Sequence, residues 1–262
     1  MNQNDIEKLG HALSAAAKSH QQIDPPSVAH PGLSYEDAYA IQKVMIQDML
    51  AGGMTLSGKK VGLTSNAMRR AAKIYEPDYG YIFRETCYTN GAELALGQFI
   101  APRIECELAF LLKKDLDGEH ISKDQVLDST EYIVACMEVC DFRIFREKFQ
   151  RVVQDSIADN AAFAAYVLGD NPLKPYDTDL SLVPYIFEVN HTQVESSCGA
   201  AVYNDPALSV AWLAERFAQL GNPLKKGELI LSGSAVESVA VKSGDYLRCS
   251  FGPFGEVSCS IV

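Results

Sequence analysis

One strand-like segment constrains the fold of this chain more than any other, because its side chains alternate strictly between two faces. The segment reads PRIECELAFLL and begins at Pro102. With the two-residue period of a β-strand, Glu105 and Glu107 share one face and lie roughly 7 Å apart. Their face turns apolar within two residues, so we expect it to be covered. Two partly buried carboxylates repel each other, and a hard cation is the leading candidate to neutralise them. An edge strand with two solvated glutamates is the alternative.

A second segment, YIVACMEVCD, is a nearly unbroken apolar run that indicates a strand buried on both faces. It contains Glu138, and a buried carboxylate without a partner is strongly destabilising. A structural salt bridge with Arg103, Arg143 or a lysine is one solution. The other groups Glu138 with Glu105 and Glu107 as an all-oxygen site for Mg²⁺ or Mn²⁺.

Composition limits the classes of protein to which this chain can belong. With 262 residues, 47% of them hydrophobic, it suits one large domain or one domain with a small accessory piece. The net charge of −11 argues against a nucleic-acid partner. We find neither a signal-peptide pattern at the N-terminus nor an apolar run of membrane-spanning length. These features predict a cytoplasmic protein without a membrane partner.

Cysteines, histidines and common catalytic motifs narrow the chemistry further. The seven cysteines are odd in number and scattered through apolar segments, as expected of core residues in a reducing compartment. The five histidines lie far apart, which makes a zinc site improbable. A nucleophile elbow, a P-loop and a dinucleotide-binding glycine motif are all missing. Carboxylate–metal chemistry is therefore the main enzymatic option.

The order of predicted elements indicates an α+β protein. Apolar residues at helical spacing predict a helix over residues 4–20, and Ser34 with Asp37 marks the start of a second helix that ends at Gly52. We assign residues 1–57 to an N-terminal helical cap and residues 58–262 to a catalytic β-roll domain. Further elements are predicted in the second part: a short helix from Ser122, a helix from Asp205-Pro206 to Gly221, and strands over residues 228–231, 238–241, 246–251 and 256–262.

Residues 141–153 carry aromatic and basic side chains at helical spacing. One face of the predicted helix holds Phe142, Phe145, Phe149 and Val152, and the basic residues are Arg143, Arg146, Lys148 and Arg151. Four cations within nine residues of an acidic protein suggest a site for an anionic substrate or a lid. A solvated helix with a Glu147–Arg151 pair is the alternative.

Three further polar clusters are candidates for a site. Lys60 lies in GKKVGLTS, and a buried lysine beside a metal would have a lowered pKa and exchange protons near neutral pH. A surface lysine pair is the alternative. Thr64 and Ser65 offer groups that can hold a carboxylate. Asp78 in EPDYG and Asp159-Asn160 read as a turn and a helix cap, and can also supply polar groups to a site.

Several motifs coincide in order: GKKVGLTS (58–65), EPDYG (76–80), PRIECELAF (102–110), MEVCDFR (137–143), ADNAAF (158–163) and AVYNDPALSVAWLA (201–214). Together they resemble the hydratase/decarboxylase branch of the fumarylacetoacetate hydrolase superfamily, over nearly the whole chain. The resemblance implies a mixed β-roll or barrel core of that family's C-terminal-domain type. It also implies the following roles: Mg²⁺ or Mn²⁺ ligands Glu105, Glu107 and Glu138; proton transfer by Lys60 and Asp78; substrate contacts from Leu63, Thr64, Ser65, Asp159 and Asn160.

The resemblance also separates branches of the superfamily. In the related C–C hydrolases the third metal carboxylate is typically aspartate and a histidine assists the attacking water. Here Glu138 is in that position and no histidine lies near the motifs, which disfavours the hydrolase branch. The expected activity is hydration of a 2-hydroxy-2,4-dienoate of the 2-oxopent-4-enoate type, in meta-cleavage catabolism of aromatic compounds.

Two alternatives stay open at this point: a 4-oxalocrotonate-type decarboxylase, and a non-catalytic member that only binds a metal or a 2-oxo acid. Residues 231–239 and 143–151 depart from the family pattern and leave the distal end of the substrate undefined. The resemblance further implies a homo-oligomer acting on a small molecule, with a pathway decarboxylase or aldolase as a further candidate partner.

Overall fold

The structure is a computed structural model that describes residues 1–72, 76–149 and 152–262. The helices are α1 Gln3–Ser19, α2 Pro26–Ala29, α3 Tyr35–Ala51, α4 Asn66–Ala72, α5 Lys123–Ser129, α6 Val153–Ala158 and α7 Pro206–Gln219. The strands are β1 Leu56–Gly62, β2 Asp78–Phe83, β3 Cys87–Thr89, β4 Ala92–Leu94, β5 Arg103–Leu112, β6 Thr130–Cys140, β7 Phe163–Leu168, β8 Pro184–Val189, β9 Thr192–Cys198, β10 Leu229–Leu231, β11 Val239–Ala240, β12 Tyr246–Ser250 and β13 Glu256–Ile261. The predicted α+β class is confirmed.

Two sheets form the centre of the molecule. The larger has the order β2-β1-β10-β5-β6-β7-β3, with β11 also pairing with β5, and the smaller has the order β4-β13-β12-β8-β9. Both are mixed: in the larger sheet β1 pairs with β10 in parallel and β5 with β6 in antiparallel fashion. In the smaller sheet β13 pairs with β4 in parallel and with β12 in antiparallel fashion. The predicted mixed β-roll is therefore present, and the last four predicted strands fall within one residue of their predicted bounds.

The alternation of β5 divides the larger sheet into two environments. Ile104, Cys106 and Leu108 pack into the main core, which also includes Phe217 of α7. The opposite face contributes Ala109 to a second cluster that contains Ile46 of α3. One face of β5 is thus an ordinary core surface, and the face carrying the two glutamates is covered by the helical layer.

Helices α1 and α3 begin and end where the sequence predicts. Asn2 caps α1 by accepting from the Asp5 N–H, and Ser34 caps α3 by accepting from the Asp37 N–H. The two helices pack on each other and on α6, and bury Leu13, Ile41 and Ile157 in one cluster. Among the described residues, no helix is both long enough and apolar enough to cross a bilayer.

The helix predicted for residues 141–153 is wrong for every described residue before Val153. Residues 141–149 are irregular, and helix α6 starts only at Val153. The backbone hydrogen bonds that a helix would use go elsewhere: the Ile23 N–H donates to Arg143 O at 2.9 Å, and the Phe145 N–H donates to Ile23 O at 3.0 Å. The Gln22 amide donates to Ile144 O at 3.1 Å. Residues 143–145 are therefore held in extended form against the α1–α2 connection. The alternative Glu147–Arg151 pair involves a residue outside the described ranges.

A left-handed turn connects α6 to β7. Asn160, Ala161 and Ala162 have φ values of 53°, 49° and 60°. Each non-glycine residue in this region costs about 1–2 kcal/mol relative to right-handed backbone, so surrounding contacts must hold the turn in place. One of those contacts reaches the candidate site.

Candidate active site

Three glutamates lie on one face of the β5–β6 pair. The register places Glu105 directly opposite Glu138, and Glu107 two pairs further along, opposite Cys136. Glu107 and Glu138 are fully buried, whereas Glu105 is half-buried. Like charges directly opposite each other destabilise a sheet. Three such groups together therefore need a positive charge, protons or both.

The carboxylate oxygens have the disposition expected of a cation site. Glu107 Oε2 accepts a hydrogen bond from the Gly233 N–H at 2.8 Å. Glu107 Oε1 and Glu138 Oε2 are buried and have no hydrogen-bond partner within the described ranges. One ligand atom each from Glu105, Glu138 and Cys140 lies within 4.8 Å of the others. Unsatisfied anionic oxygens from several carboxylates match the ligand preference of Mg²⁺ and Mn²⁺, so the residues present fit a hard divalent cation.

The glutamates perturb one another's protonation. Burial, with a further contribution from Glu138, raises the pKa of Glu105 to about 7, although the Lys60 charge opposes the shift. Burial and the Glu138 charge raise the pKa of Glu107 well above its usual range. Charged carboxylates are therefore disfavoured here until a cation offsets burial and repulsion.

Cys140 is an unexpected neighbour of this cluster. Its thiol donates to Glu138 Oε1 at 3.5 Å, and it is buried. Burial and the adjacent glutamates raise the pKa of the thiol well above its usual range, which keeps it protonated. A protonated sulfur is a poor ligand for a hard cation. The three glutamates therefore remain the better ligand set.

Lys60 reaches the same cluster from β1. Its ammonium donates to Glu138 Oε1 at 2.6 Å and to Ala161 O, in the left-handed turn, at 3.1 Å. The side chain is almost completely buried, so the surface alternative for Lys60 is excluded. Lys59 points away from Lys60 but is also buried, beside Glu228 and with its ammonium 4.8 Å from the Phe217 ring centroid. The alternative of a surface lysine pair is therefore wrong for both lysines.

The lowered pKa predicted for Lys60 presupposes a bound metal, and the protein groups alone shift this pKa in the opposite direction. Burial lowers its pKa, but the charges of Glu138 and the other acidic neighbours outweigh burial and raise the pKa well above the ordinary value. The carboxylates therefore hold the proton on Lys60. A divalent cation among the glutamates would cancel most of their charge and leave burial as the main influence, which lowers the pKa.

Asp78 lies beside Lys60 at the start of β2. It is buried, and its Oδ1 has no hydrogen-bond partner among the residues that the structure describes. Burial raises its pKa to about 6 while the Lys60 charge opposes the shift. A carboxyl group with this pKa can both take and release a proton near neutrality. Gly62 pairs with Asp78 across the two strands and leaves room for its carboxylate.

Gly62→Ala tests whether the position of Asp78 matters. The added methyl group would overlap Asp78 Oδ1, so the carboxylate must rotate away. If Asp78 moves protons, we expect kcat to fall by roughly 10²-fold, in the range for a displaced acid or base, and Asp78→Asn to lower it similarly. Gly97→Ala is the control, because nothing lies within 4 Å of its added methyl group. An active Asp78→Asn variant would contradict this role.

Residues 63–65 follow β1 and lie next to Gly233, whose N–H binds Glu107. A side chain at Gly233, which has φ +95°, would collide with the Thr64 side chain. Thr64 is buried and donates to Ser234 O at 3.4 Å, and Leu63 has a left-handed φ of 57°. Ser65 forms a bridge with Val202. The predicted 63–65 segment thus adjoins the loop that holds Glu107, and its contact with substrate stays a prediction.

Asp159 and Asn160 are committed to protein contacts. Asp159 binds the buried Arg143 through its side chain and through its carbonyl, which accepts from the guanidinium at 2.5 Å. The Asn160 side chain accepts from the Tyr81 N–H at 2.8 Å and donates to Tyr81 O at 2.9 Å. These bonds anchor the left-handed turn. The predicted substrate contacts of both residues now compete with a structural role.

Asp159→Asn distinguishes the two roles. Removing the charge leaves Arg143 buried without a counter-ion, which typically costs about 3–5 kcal/mol, so we expect a large fall in the free energy of unfolding measured by urea denaturation. Asp24→Asn breaks only an exposed pair with Lys148 and serves as the control. A higher KM at unchanged stability would instead identify Asp159 as a substrate ligand.

Comparison with known proteins places this arrangement in a family. The model of the fumarylacetoacetate hydrolase C-terminal family matches residues 58–262. The chain belongs to this family. The predicted family membership is therefore confirmed, and the match covers every strand from β2 to β13 and most of β1.

Relatives within the family are mainly hydratases. The chain is 37% identical over 258 residues to a 2-oxo-hept-4-ene-1,7-dioate hydratase of Escherichia coli, covering 97% of both chains. It is 36% identical to a 2-keto-4-pentenoate hydratase of Paraburkholderia xenovorans, covering 96% of this chain and 93% of the relative. A solved structure of 4-oxalocrotonate decarboxylase from Pseudomonas putida G7, complexed with magnesium and adipate, superposes with a TM-score of 0.95 at 27% identity and covers 100% of this chain and 99% of its own.

The structure brings together the residues predicted for metal binding and proton transfer, but it adds partners that sequence reasoning missed. Gly233 is 126 residues from Glu107, and its N–H orients that carboxylate. The LSGSAVESV segment, which contains Gly233, has the periodicity of neither a strand nor a helix. A glycine between two serines does, however, indicate a position where another part of the chain comes close to the backbone. Cys140 was assigned only to the core.

Proposed function

We propose that this family member is a divalent-metal-dependent hydratase that adds water to a 2-hydroxy-2,4-dienoate and gives a 4-hydroxy-2-oxo acid, within meta-cleavage catabolism of aromatic compounds. The observation that carries the proposal is the buried Lys60–Glu138 pair, 2.6 Å long, inside a cluster of three glutamates with Asp78 beside it. The proton-transfer groups and the metal ligands thus share one site. The hydratase relatives at 36–37% identity support the reaction type.

Glu105, Glu107 and Glu138 are the proposed ligands of Mg²⁺ or Mn²⁺. The decarboxylase with the same fold has been solved with magnesium and with calcium, which supports a hard divalent cation. When bound, such a cation supplies Lewis-acid polarisation of the 2-oxo acid end of the substrate. The Gly233 N–H fixes one oxygen of Glu107 and leaves the other oxygen to face the site.

Lys60 and Asp78 are the proposed proton-transfer pair. Hydration requires a proton to move from the 2-hydroxyl group of the dienol to C5, after which water adds at C4 of the unsaturated ketone. Asp78, with its pKa raised to about 6 by burial, can accept and release a proton near neutrality. Lys60 holds a proton on Nζ, and Ala161 O and Glu138 fix the direction of that donor.

Loss of CO₂ from a 2-oxo-3-enedioate is the second candidate reaction, because it needs the same electron sink at the 2-oxo group. The specific observation in its favour is the TM-score of 0.95 to 4-oxalocrotonate decarboxylase. Sequence identity favours hydration, at 37% for a hydratase against 27% for the decarboxylase. The buried Lys60 and Asp78 argue against a member that only binds a metal or a 2-oxo acid.

The deciding experiment incubates the purified protein with Mg²⁺ and either 2-keto-4-pentenoate or 4-oxalocrotonate, and follows substrate loss and CO₂ in parallel. The proposal predicts loss of the pentenoate, formation of the 4-hydroxy-2-oxo acid and no CO₂. Stoichiometric CO₂ from 4-oxalocrotonate without hydration of the pentenoate would assign the decarboxylase instead. Turnover of neither compound would favour a non-catalytic member.

The assembly of the protein is part of the same proposal. We infer a helical cap of residues 1–57 on a catalytic domain of residues 58–262, a homo-oligomer, and a cytoplasmic place of action in which a pathway decarboxylase or aldolase is a candidate partner. Light scattering of the purified chain tests the oligomer.

A further inference from the structure

A cleft of about 680 Å³ opens beside the first residues of β5. Its apolar lining includes Leu96, Ile100, Pro102 and Phe145, and its charged lining is four basic residues (Arg103, Arg146, Lys148 and Lys242) against one acidic residue, Glu147. In a protein with a net charge of −11, this local excess of positive charge is unusual. A cleft with apolar walls and basic groups suits an anionic ligand with a hydrocarbon chain.

Arg146 is one of the cations in this cleft that have no anionic partner among the described residues, and its side chain is held by an aromatic ring. Its guanidinium carbon lies 4.3 Å from the centroid of the buried Phe142 ring, which fixes the side chain by a cation–π contact. No carboxylate among the described ranges pairs with it. Lys148, by contrast, pairs with Asp24 at 3.2 Å. The planar donor of Arg146 is therefore held in place with its hydrogen-bonding capacity unused.

Arg103 connects the cleft to the three glutamates. Its guanidinium is oriented by Ser238, whose hydroxyl accepts from Nε at 2.8 Å. Arg103 and Glu105 are two residues apart and point to the same face of β5, about 7 Å apart along the strand. Glu107 is fully buried, whereas Glu105 and Arg103 are both half-buried, so the site opens in the direction of the cleft.

The electrostatics of Arg146 agree with this connection. Burial and the neighbouring charge of Arg103 lower the pKa of Arg146, while the charge of Glu105 acts in the opposite direction. Two guanidinium groups that repel each other across one cleft are stabilised by a shared anion. A carboxylate is the anion that matches the planar fork of arginine.

We propose that this cleft binds the distal carboxylate of a dicarboxylate substrate, with Arg146 as the residue that determines specificity and the 2-oxo acid end of the same molecule at the three glutamates. The inference rests on the proposed function and makes a 2-oxo-enedioate the preferred substrate, bound more tightly than the pentenoate. The relatives do not decide between a dicarboxylate and a monocarboxylate substrate. The 2-oxo-hept-4-ene-1,7-dioate hydratase is 37% identical to this chain, and the 2-keto-4-pentenoate hydratase is 36% identical.

Binding of two matched acids tests the cleft independently of turnover. Adipate and hexanoate have chains of equal length, and only adipate carries a second carboxylate. By calorimetry with Mg²⁺ present, we expect adipate to bind roughly 10- to 100-fold more tightly than hexanoate, the usual range for hydrogen bonds to a charged group. Arg146→Met should bring this ratio close to one, and Arg146→Lys, which keeps the charge but loses the fork, should give an intermediate ratio.

Arg84→Met is the matched control, because it removes the same charge from an exposed position outside the cleft and should preserve the ratio. In kinetics, Arg146→Met should lower kcat/KM for 2-oxo-hept-4-ene-1,7-dioate by roughly 10- to 100-fold, mainly through KM, and leave 2-keto-4-pentenoate unaffected. An unchanged adipate-to-hexanoate ratio in Arg146→Met, or equal losses with both substrates, would overturn the inference. If the unmodified protein hydrates neither substrate, the proposed function fails, and the acid pair still decides whether the cleft binds a second carboxylate.

Discussion

Lys60→Met is expected to lower kcat for dienoate hydration by on the order of 10²–10⁴, the usual contribution of a positioned acid or base. The Lys60 ammonium is 2.6 Å from Glu138 Oε1 and 3.1 Å from Ala161 O, so methionine can fill the space but not carry the proton. Lysine is not a ligand for a hard cation, so Mg²⁺ binding should survive. Stopped-flow turnover and calorimetric Mg²⁺ titration of the same preparation measure both quantities.

The thermal stability of the same variant should show that Lys60 and the metal are coupled. Without Lys60, Glu138 is a buried carboxylate whose cationic partner is gone, and breaking such a pair typically costs about 3–5 kcal/mol. A cation bound among the glutamates compensates for that loss. We therefore expect Mg²⁺ to raise the Tm of Lys60→Met more than that of the unmodified protein.

Lys59→Met is the control on the opposite face of β1. Because Lys59 is buried against Glu228 and Phe217, its replacement should lower the free energy of unfolding by about 1–3 kcal/mol, since Glu228 is partly exposed and can be hydrated. Its kcat should remain unchanged. Loss of rate in Lys59→Met with full activity in Lys60→Met would show that the assigned proton-transfer residue is wrong.

Glu107→Gln is expected to abolish Mg²⁺-dependent turnover while the fold becomes more stable. The glutamine oxygen can still accept from the Gly233 N–H, but the site loses one charge and one ligand. Because even outer-shell changes cost about 10- to 100-fold in metal affinity or activity, loss of a direct ligand should exceed about 10²-fold. Removing one of three mutually repelling buried carboxylates should raise the metal-free Tm, since burial already raises the pKa of Glu107 well above its usual range.

Glu93→Gln, an exposed substitution of the same kind on β4, should change neither quantity and serves as the control. A Glu107→Gln variant with unchanged Mg²⁺ affinity and rate would show that Glu107 is not a ligand. A lower metal-free Tm would contradict the electrostatic account of the cluster.

Local patterns in the sequence are sufficient to predict much of the fold. Strand β5 follows from its two-residue alternation, and the starts of α1 and α3 follow from capping and spacing, because these signals depend on neighbours within one or two turns. The Glu105–Glu107 face could also be predicted, since alternation alone puts both carboxylates on one side. The direct opposition of Glu105 and Glu138 needed the register between two strands, which no local signal provides.

The errors arose where distant residues determine the local structure. Residues 141–149 have the spacing of a helix, but Arg143 binds Asp159 and the backbone of residues 143–145 pairs with Ile23, so the segment is not helical. The left-handed turn at Asn160 is stabilised by Tyr81, 79 residues earlier, and has no glycine to indicate it. The propensity of a residue depends on its near neighbours in the sequence and therefore carries no information about either contact.

The most direct test of the central claim is the position of Mn²⁺ in a crystal of this protein, located by its anomalous scattering. We predict one strong peak coordinated by Glu105, Glu107 and Glu138, and its loss in crystals of Glu107→Gln grown under the same conditions. A cation bound elsewhere, or no cation among the three glutamates at a concentration that supports turnover, would contradict the proposed metal-dependent mechanism.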